Sequence, residues 1–308
     1  MDWNSQYVSE LVQRALAEDV GSGDATVLAT IPASAIGHAH IQTKQDTVVA
    51  GLPLAKAVFR ALDPAMQIEF RAQDGDRVAK GNDLLHLDGT ARAILTGERT
   101  ALNFLAHLSG IATLTQKFVE RLSGTNCRIR DTRKTTPGLR LLEKYAVKTG
   151  GGTNHRIGLY DAVLLKENHI ALAGGVPQAL AQAHAYTALH ARPAAMTAYE
   201  EVEPPSRTLG MPLPVQIEVR NLDELRQAIE AGADSVLLDN MSVAEARAAV
   251  ELTRNLRASV LIEISGGITL ENARPYAETG ADFLSSSLLT HSAPAADLSL
   301  LVDTIEDK

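Results

Sequence analysis

The chain has 308 residues, of which 45% are apolar and 21% charged, a composition typical of a globular enzyme with room for two domains. Its net charge of −8 argues against nucleic-acid binding, and no apolar run approaches the roughly 20 residues needed to span a membrane. A single cysteine, Cys127, excludes an intrachain disulfide, and the first residues show no signal-peptide pattern, so we expect a cytoplasmic protein.

The first part of the chain, up to about residue 110, mixes helices with short strands. Helical spacing predicts a helix over residues 7–18 and a long helical stretch from 91 to about 122, with a candidate break near Gly110. Short strands are predicted at 36–43, 65–71 and 84–87, with a turn at 74–76.

From about residue 125 the pattern changes to short apolar runs that alternate with helical segments. After strands at 127–130 and 162–165, the predicted strand and helix pairs are 215–219 with 222–231, 235–239 with 243–254, and 260–264 with 270–278, followed by a strand at 282–284. This alternation predicts a parallel sheet and an α/β barrel, in which catalytic groups lie at the carboxyl ends of the strands. Residues 191–214 contain five prolines and no clear periodicity, so we expect a long loop, a lid or an interface segment there.

Basic residues are concentrated between 128 and 166, a stretch with nine Lys and Arg and only three Asp and Glu in an otherwise acidic protein. Solvated helix faces would explain part of this excess. However, Arg133 and Lys134 follow one predicted strand and Lys166 ends another, which favours a site for a small anion. Arg offers a planar fork for carboxylate or phosphate, whereas Lys is a compact charge. The alternative for residues 131–138 is an ordinary basic loop.

The run Gly150–Gly152 precedes His155 and Arg156. Glycines let backbone amides approach an anion, although a flexible turn after a helix needs glycine as well. His155 is a plausible ligand or proton-handling group beside Arg156, and a structural, hydrogen-bonded histidine is the alternative.

Glu218 and Asp239 end two successive predicted strands. Two such carboxylates can hold Mg²⁺ or stabilise positive charge on a sugar, unless Asp239 caps the following helix instead. Ser265-Gly266-Gly267 follows the next strand, where amides at a helix N-terminus would suit a phosphate, although a tight turn is the alternative. Ser285–Ser287 supplies hydroxyls at the last strand end.

Seven segments resemble one known family, that of quinolinate phosphoribosyltransferase, in order along nearly the whole chain. They are 98–103, Asp-Thr-Arg-Lys-Thr-Thr-Pro-Gly at 131–138, 150–161, 164–169, 237–240, 265–267 and 289–294. The resemblance implies an N-terminal α/β sandwich domain at 1–115, with the segment from about 289 to 308 as a candidate to pack with it. It also implies an open, TIM-like α/β barrel of the type II phosphoribosyltransferases at 116–288, and a homodimer, or a higher assembly, with shared active sites.

The same resemblance implies the reaction and the residues that perform it. The family transfers phosphoribosyl from phosphoribosyl pyrophosphate to quinolinate with decarboxylation, which yields nicotinate mononucleotide, pyrophosphate and CO₂ for NAD synthesis. The residues implied around quinolinate are Thr132, Arg133, Lys134, His155, Arg156 and Lys166, with Arg99 reaching in from a neighbouring subunit. Those implied around phosphoribosyl pyrophosphate are Glu218 and Asp239, which also serve Mg²⁺, and Ser265, Gly266, Gly267, Ser286 and Ser287 at the phosphate. The implied catalytic groups are Lys134, Lys166, Glu218 and Asp239.

Two departures from the family pattern and three rival interpretations stay open at this point. Ser287 stands where the family usually has glycine, and the segment 191–214 is longer than the usual link. The rivals are a molybdenum-associated paralogue of unknown chemistry, a barrel lyase that uses Lys166 as a Schiff-base nucleophile, and a metabolite sensor without catalysis.

Overall fold

The chain divides into two units in the computed structural model, which describes residues 1–190 and 212–306. One unit comprises Met1–Leu114 and Ala293–Lys308, and the other comprises Thr115–Ser292. Most of the predicted excursion at 191–214 therefore lies outside the described residues. Within those residues, none of the helices combines the length and apolar composition that crossing a bilayer demands.

The first unit is built on an antiparallel sheet of four strands in the order β12-β1-β5-β3. Its strands are β1 (Ile36–Thr43), β3 (Gln67–Phe70), β5 (Asp83–Thr90) and β12 (Leu298–Glu306), and β2 (Thr47–Val48) pairs with β4 (Arg77–Val78). Strict alternation in β1 buries Ala39 and Ile41 on one face and leaves His38 and His40 half-buried on the other. The helices are α1 (Gln6–Val20), α2 (Ala25–Thr30), α3 (Leu52–Leu62) and α4 (Ala91–Arg121), of which the last turns, from Thr115 onward, belong to the second unit.

Helix α4 is continuous, so the expected break near Gly110 is wrong. Gly110 has a packing role instead, because a Cβ there would overlap the carbonyl oxygen of Pro294. The glycine lets the returning chain lie against the helix, and the next contact, from the Ala296 N–H to the Ala106 carbonyl at 2.9 Å, fixes it there.

The second unit is built on six parallel strands in the order β6-β11-β10-β9-β8-β7. The strands are β6 (Arg128–Arg130), β7 (Val163–Leu165), β8 (Val215–Val219), β9 (Ser235–Asp239), β10 (Leu261–Ser265) and β11 (Phe283–Ser285). The helices are α5 (Arg140–Thr149), α6 (Glu167–Ala173), α7 (Val176–Leu189), α8 (Leu222–Glu230), α9 (Val243–Leu256), α10 (Ala273–Ala277) and α11 (Leu288–His291). Because β6 and β7 are edges that do not pair with each other in the described residues, the barrel is open, and the predicted fold class is confirmed.

The two faces of this sheet differ in polarity. Register partners on adjacent parallel strands point to the same side, and every second residue shares that side. One face carries Ile129, Leu284, Ile264 and Leu238, all buried. The opposite face, inside the barrel, carries the polar residues of the same strands. Burial of the apolar face against helices thus leaves the interior face free to form a site.

Candidate active site

Polar side chains from four strand ends share one rim inside the barrel. The register partners on β6, β11, β10 and β9 are Arg130, Ser285, Ser265 and Asp239. Glu218 on β8 lies one row below, on the same face. The structure therefore brings the predicted residues Glu218, Asp239 and Ser265 to one side of the sheet, at the carboxyl ends of its strands, while their roles stay predictions.

Two arginines at this rim form an unneutralised positive pair. Arg133 follows β6, and its guanidinium donates to no acceptor in the described part of the chain, although its Nε is buried. Arg156 is half-buried and donates from Nη1 to the Ala162 carbonyl at 3.0 Å. Burial lowers the pKa of Arg156, and the nearby charge of Arg133 lowers it further, against the opposing effect of Asp161. An anionic ligand would relieve this repulsion.

A buried ion pair fixes the segments that carry these arginines. The Lys144 Nζ on α5 lies 2.5 Å from the Asp131 carboxylate, and both side chains are fully buried. Asp131 also accepts the His155 N–H at 2.8 Å, and Lys144 donates to the His155 carbonyl at 3.0 Å. The pair thus ties α5 to the end of β6 and to the start of the Arg156 segment.

The glycine run Gly150–Gly152 ends α5 and does not face an anion. The three N–H groups donate to carbonyls of that helix, those of Ala146, Lys148 and Val147 respectively. The expectation that these amides approach an anion is therefore wrong, because helix termination already uses them. Gly152 also has no room for a side chain, since a Cβ would come within 2.7 Å of Thr115 Cγ2.

His155 is engaged at both ring nitrogens by the protein. Its Nδ1 accepts the Arg156 N–H at 2.7 Å, so the proton of the ring belongs on Nε2. The Nε2 lies 3.1 Å from Gln216 Oε1 and 3.6 Å from Glu263 Oε1. These contacts match the structural alternative for His155, and a direct contact with substrate stays a prediction.

Lys166 and Glu218 form an ion pair at the ends of β7 and β8, with Nζ 3.1 Å from Oε2. The Lys166 side chain is 51% exposed, whereas that of Glu218 is 12% exposed. A Schiff-base nucleophile requires an amine shielded from water and from carboxylates. Neither condition holds for Lys166, and this geometry disfavours the lyase interpretation.

Asp239 does not cap the helix that follows it. Ser242 is the N-cap of α9, accepts the Glu245 N–H at 3.3 Å and forms a reciprocal capping box with Glu245. Asp239 is instead half-buried at the rim, where its carboxylate accepts from the Asn240 amide at 2.8 Å. This frees the carboxylate for the predicted role beside Glu218.

The loop Ser265-Gly266-Gly267 requires glycine for steric reasons. Gly266 has a φ of 99°, and a Cβ there would overlap the Asn240 side chain. The following helix α10 begins only at Ala273, so the expected amides at a helix N-terminus are wrong for this loop. The turn alternative describes the geometry, and phosphate binding by this loop stays a prediction.

Ser286 and Ser287 differ in whether their hydrogen-bond donors are already used within the protein. Ser286 donates its hydroxyl to the Ile268 carbonyl at 2.7 Å and its N–H to the Arg130 carbonyl at 3.0 Å, so both donors are used. Ser287 has a φ of −74°, which any residue adopts, so replacing the family's usual glycine causes no backbone strain. Its Oγ lies 2.8 Å from His291 Nε2.

Of the remaining predicted residues, Lys134 and Arg99 are exposed and Thr132 is half-buried. Thr132 accepts the Lys134 N–H at 3.0 Å through its hydroxyl, and Lys134 is exposed. Arg99 is exposed on α4 in the first unit. Within the described residues, no group of three or more His, Cys, Asp or Glu side chains could hold a metal ion.

Three interior residues were missed as site residues. Arg130 at the rim and Gln216 below it both donate to Glu263 Oε2, at 3.1 Å and 3.0 Å respectively. Gln216 and Glu263 are polar residues in otherwise apolar strands. Each lies two positions before a predicted site residue, Glu218 and Ser265 respectively, and therefore on the same face of its strand. That polar interruption was the available signal.

Comparisons with known proteins agree along the chain. Family models described as quinolinate phosphoribosyl transferase, N-terminal domain and C-terminal domain, match residues 24–109 and 111–301. A Mycobacterium leprae protein named nicotinate-nucleotide pyrophosphorylase [carboxylating] is 40% identical over 298 residues, which cover 94% of this chain and 95% of the relative. A Nicotiana glauca protein named quinolinate phosphoribosyltransferase [decarboxylating] 2, mitochondrial, is 38% identical, over 96% of this chain and 82% of the relative.

A solved structure, that of the nicotinate-nucleotide pyrophosphorylase from Francisella tularensis, is 39% identical to this chain. The alignment covers 96% of both chains with a TM-score of 0.84. The resemblance found in the sequence motifs is therefore confirmed over the complete barrel and the N-terminal domain.

Proposed function

The chain belongs to the quinolinate phosphoribosyltransferase family, and from this premise we propose that it transfers phosphoribosyl from phosphoribosyl pyrophosphate to quinolinate. It is a decarboxylating pentosyltransferase that releases pyrophosphate and CO₂. Its product is nicotinate mononucleotide, a precursor of NAD.

The observation that carries this proposal is the unneutralised pair Arg133 and Arg156. Two guanidinium groups lie close enough to repel each other in a partly buried place, and neither forms an ion pair in the described residues, which favours an anionic ligand. Quinolinate has two adjacent carboxylates, which can bind one arginine each. Lys134 and Lys166 add positive charge at the same rim, and Thr132 is a further candidate contact.

Glu218 and Asp239 suit the phosphoribosyl pyrophosphate end of the site. Mg²⁺ usually binds to one or two carboxylates together with the phosphates of a substrate, so two carboxylates and no complete metal cage fit this ion. When bound with pyrophosphate, the ion neutralises charge on the leaving group. Glu218 and Asp239 would hold it, and both also stabilise positive charge on the ribose. Ser265, Gly266, Gly267 and Ser287 are the proposed phosphate contacts, with Ser286 as their buried support.

The chemistry needs no general base. The lone pair of the pyridine nitrogen forms a bond to C1 of the ribose, while the bond from C1 to pyrophosphate breaks. The nitrogen is then cationic, so the ring accepts the electron pair left when the 2-carboxylate departs as CO₂. C2 finally takes up one proton, for which Lys134 and Lys166 are the candidate donors.

The assembly and location are also proposals. We propose a homodimer in which the exposed Arg99 reaches the site of the neighbouring subunit, and a cytoplasmic enzyme. Size-exclusion chromatography with light scattering tests the assembly. Mixing an Arg99→Ala variant with an Arg133→Ala variant should restore partial activity if sites are shared.

The decisive test is incubation with phosphoribosyl pyrophosphate, Mg²⁺ and quinolinate labelled in its 2-carboxylate. We expect labelled CO₂ and nicotinate mononucleotide in equal amounts, and loss of both when a chelator removes Mg²⁺. Nicotinate should not replace quinolinate, since it lacks the 2-carboxylate. Binding without turnover would favour a metabolite sensor, and absence of both binding and turnover would favour the molybdenum-associated paralogue.

A further inference from the structure

A cluster of polar side chains extends from Arg130 at the rim into the barrel interior, and the proposed reaction assigns it no role. Glu263 on β10 lies at its centre, with a side chain only 1% exposed. Its Oε2 accepts from Arg130 Nη1 at 3.1 Å and from Gln216 Nε2 at 3.0 Å. Its Oε1 lies 3.6 Å from His155 Nε2 and has no hydrogen-bond partner in the described residues.

The environment of Glu263 favours its ionised form. Burial raises the pKa of its carboxyl group, but His155, Arg130 and the hydrogen bonds from Gln216 and Ser285 outweigh burial and bring the pKa below its ordinary value. Removing this carboxylate would leave Arg130 and His155 without the acceptor that they share inside the barrel.

The partners of Glu263 lead directly to the acceptor-binding groups. Arg130 ends β6 on the segment that continues to Arg133, and it is held from the other side by the Phe283 ring, 3.3 Å from the guanidinium carbon. His155 precedes Arg156 and accepts its N–H at 2.7 Å. One carboxylate therefore links the two chain segments that carry the unneutralised arginine pair.

We propose that Glu263 is a positioning residue for the acceptor: it fixes Arg130 and His155, and through them sets the separation of Arg133 and Arg156 to that of two adjacent carboxylates. This inference rests on the proposed function, since it takes the acceptor to be the quinolinate dianion. Glu263 does not touch the substrate and takes part in no bond change.

Positioning and simple electrostatics predict opposite results for Glu263→Gln. Removing a negative charge near a dianion strengthens its binding if charge alone matters. If positioning matters, binding weakens, because a displacement of about 1 Å can cost about 100-fold in function. The sign of the change in quinolinate affinity therefore separates the two explanations.

The experiment measures the Kd of quinolinate by calorimetry and the KM of both substrates for wild type, Glu263→Gln and a control. The control is Glu251→Gln, which removes an exposed carboxylate from α9. We expect Glu263→Gln to raise the Kd and KM of quinolinate about tenfold or more, with the KM of phosphoribosyl pyrophosphate changed less than about threefold. Unchanged or tighter quinolinate binding would overturn the proposal.

Two further measurements keep the result decisive. If Glu263→Gln does not fold, Gln216→Met removes one hydrogen bond to Glu263 and retains the charge, and wild-type quinolinate affinity in that variant would also reject the positioning role. In ¹⁵N-histidine spectra, the His155 Nε2 signal should shift in Glu263→Gln because the nearby carboxylate is lost, and an unchanged Nε2 signal would count against the positioning role. Failure of wild type to bind quinolinate would refute the proposed function and not the His155 result.

Discussion

Replacing Arg133 with Met should leave the free protein as stable as wild type while removing most of its affinity for quinolinate. The guanidinium of Arg133 has no protein acceptor in the described residues, so its loss breaks no hydrogen bond. Its charge also lowers the pKa of Arg156, so its removal relieves a repulsion. Met retains an apolar stem of similar length.

The expected loss of affinity follows from the hydrogen bonds to a carboxylate. Such a bond to a charged group is worth about 1.5–3 kcal/mol, which corresponds to roughly a 10- to 150-fold weaker Kd. At a quinolinate concentration of about 100 times the wild-type Kd, the ligand stabilises wild type by about 2.7 kcal/mol. If the Kd rises about 100-fold, the same concentration stabilises the variant by only about 0.4 kcal/mol.

Thermal unfolding with and without quinolinate, together with calorimetric titration, measures both effects. Arg226→Met, which removes an exposed arginine from α8, is the matched control and should keep the full quinolinate response. The contrary outcomes are that Arg133→Met loses stability without ligand, or that it responds to quinolinate as wild type does. Either result would refute the inference that the Arg133 guanidinium binds the anionic substrate and no protein group.

Three other predictions concern stability and reactivity. Asp131→Ala should destabilise the second unit by about 3–5 kcal/mol, because it leaves the fully buried Lys144 unpaired, and denaturant unfolding measures this; a loss below about 1 kcal/mol would contradict it. Burial raises the pKa of Cys127 to about 12, so this thiol should resist alkylation in the native protein and react only after denaturation, as mass spectrometry would show. The hydrogen bond from the Thr90 N–H lowers the pKa of Asp63 from its ordinary value of 3.8. Ionised Asp63 therefore stabilises the folded state above pH 3.8, and this contribution is lost as the pH falls through the lowered pKa. Asp63→Asn should therefore cost about 1 kcal/mol at pH 7 and less near pH 3, by thermal midpoints; a pH-independent cost would contradict this.

The strands were predictable from the sequence because their burial is local and periodic. The alternation in 36–43 and the apolar runs at 215–219 and 235–239 match β1, β8 and β9 at both ends. The continuity of α4 was not predictable, because the reason for Gly110 is contact with Pro294, which is far along the chain. Helix α10 is shorter than its apolar pattern indicated, since it begins at Ala273.

The site was predictable to the extent that strand ends determine it. Cations after β6 and acids at the ends of β8 and β9 could be assigned to one rim from the strand–helix alternation alone. The partners of those groups could not be assigned, because they depend on three-dimensional contacts. Nothing local indicates that Lys144 pairs with Asp131, or that the amides of Gly150–Gly152 serve to end α5.

The lack of pairing between β6 and β7 has a consequence for motion. No ladder hydrogen bonds join these strands in the described residues, so the seam between them can widen without breaking a backbone bond. On its open side β6 instead bonds to Thr153, whose N–H donates to the Ile129 carbonyl at 2.9 Å and whose carbonyl accepts the Asp131 N–H at 3.2 Å. Widening the gap between β6 and β7 therefore costs less free energy than distorting the central strands. Amide hydrogens in β6 and β7 should exchange with deuterium well before those of β9 and β10.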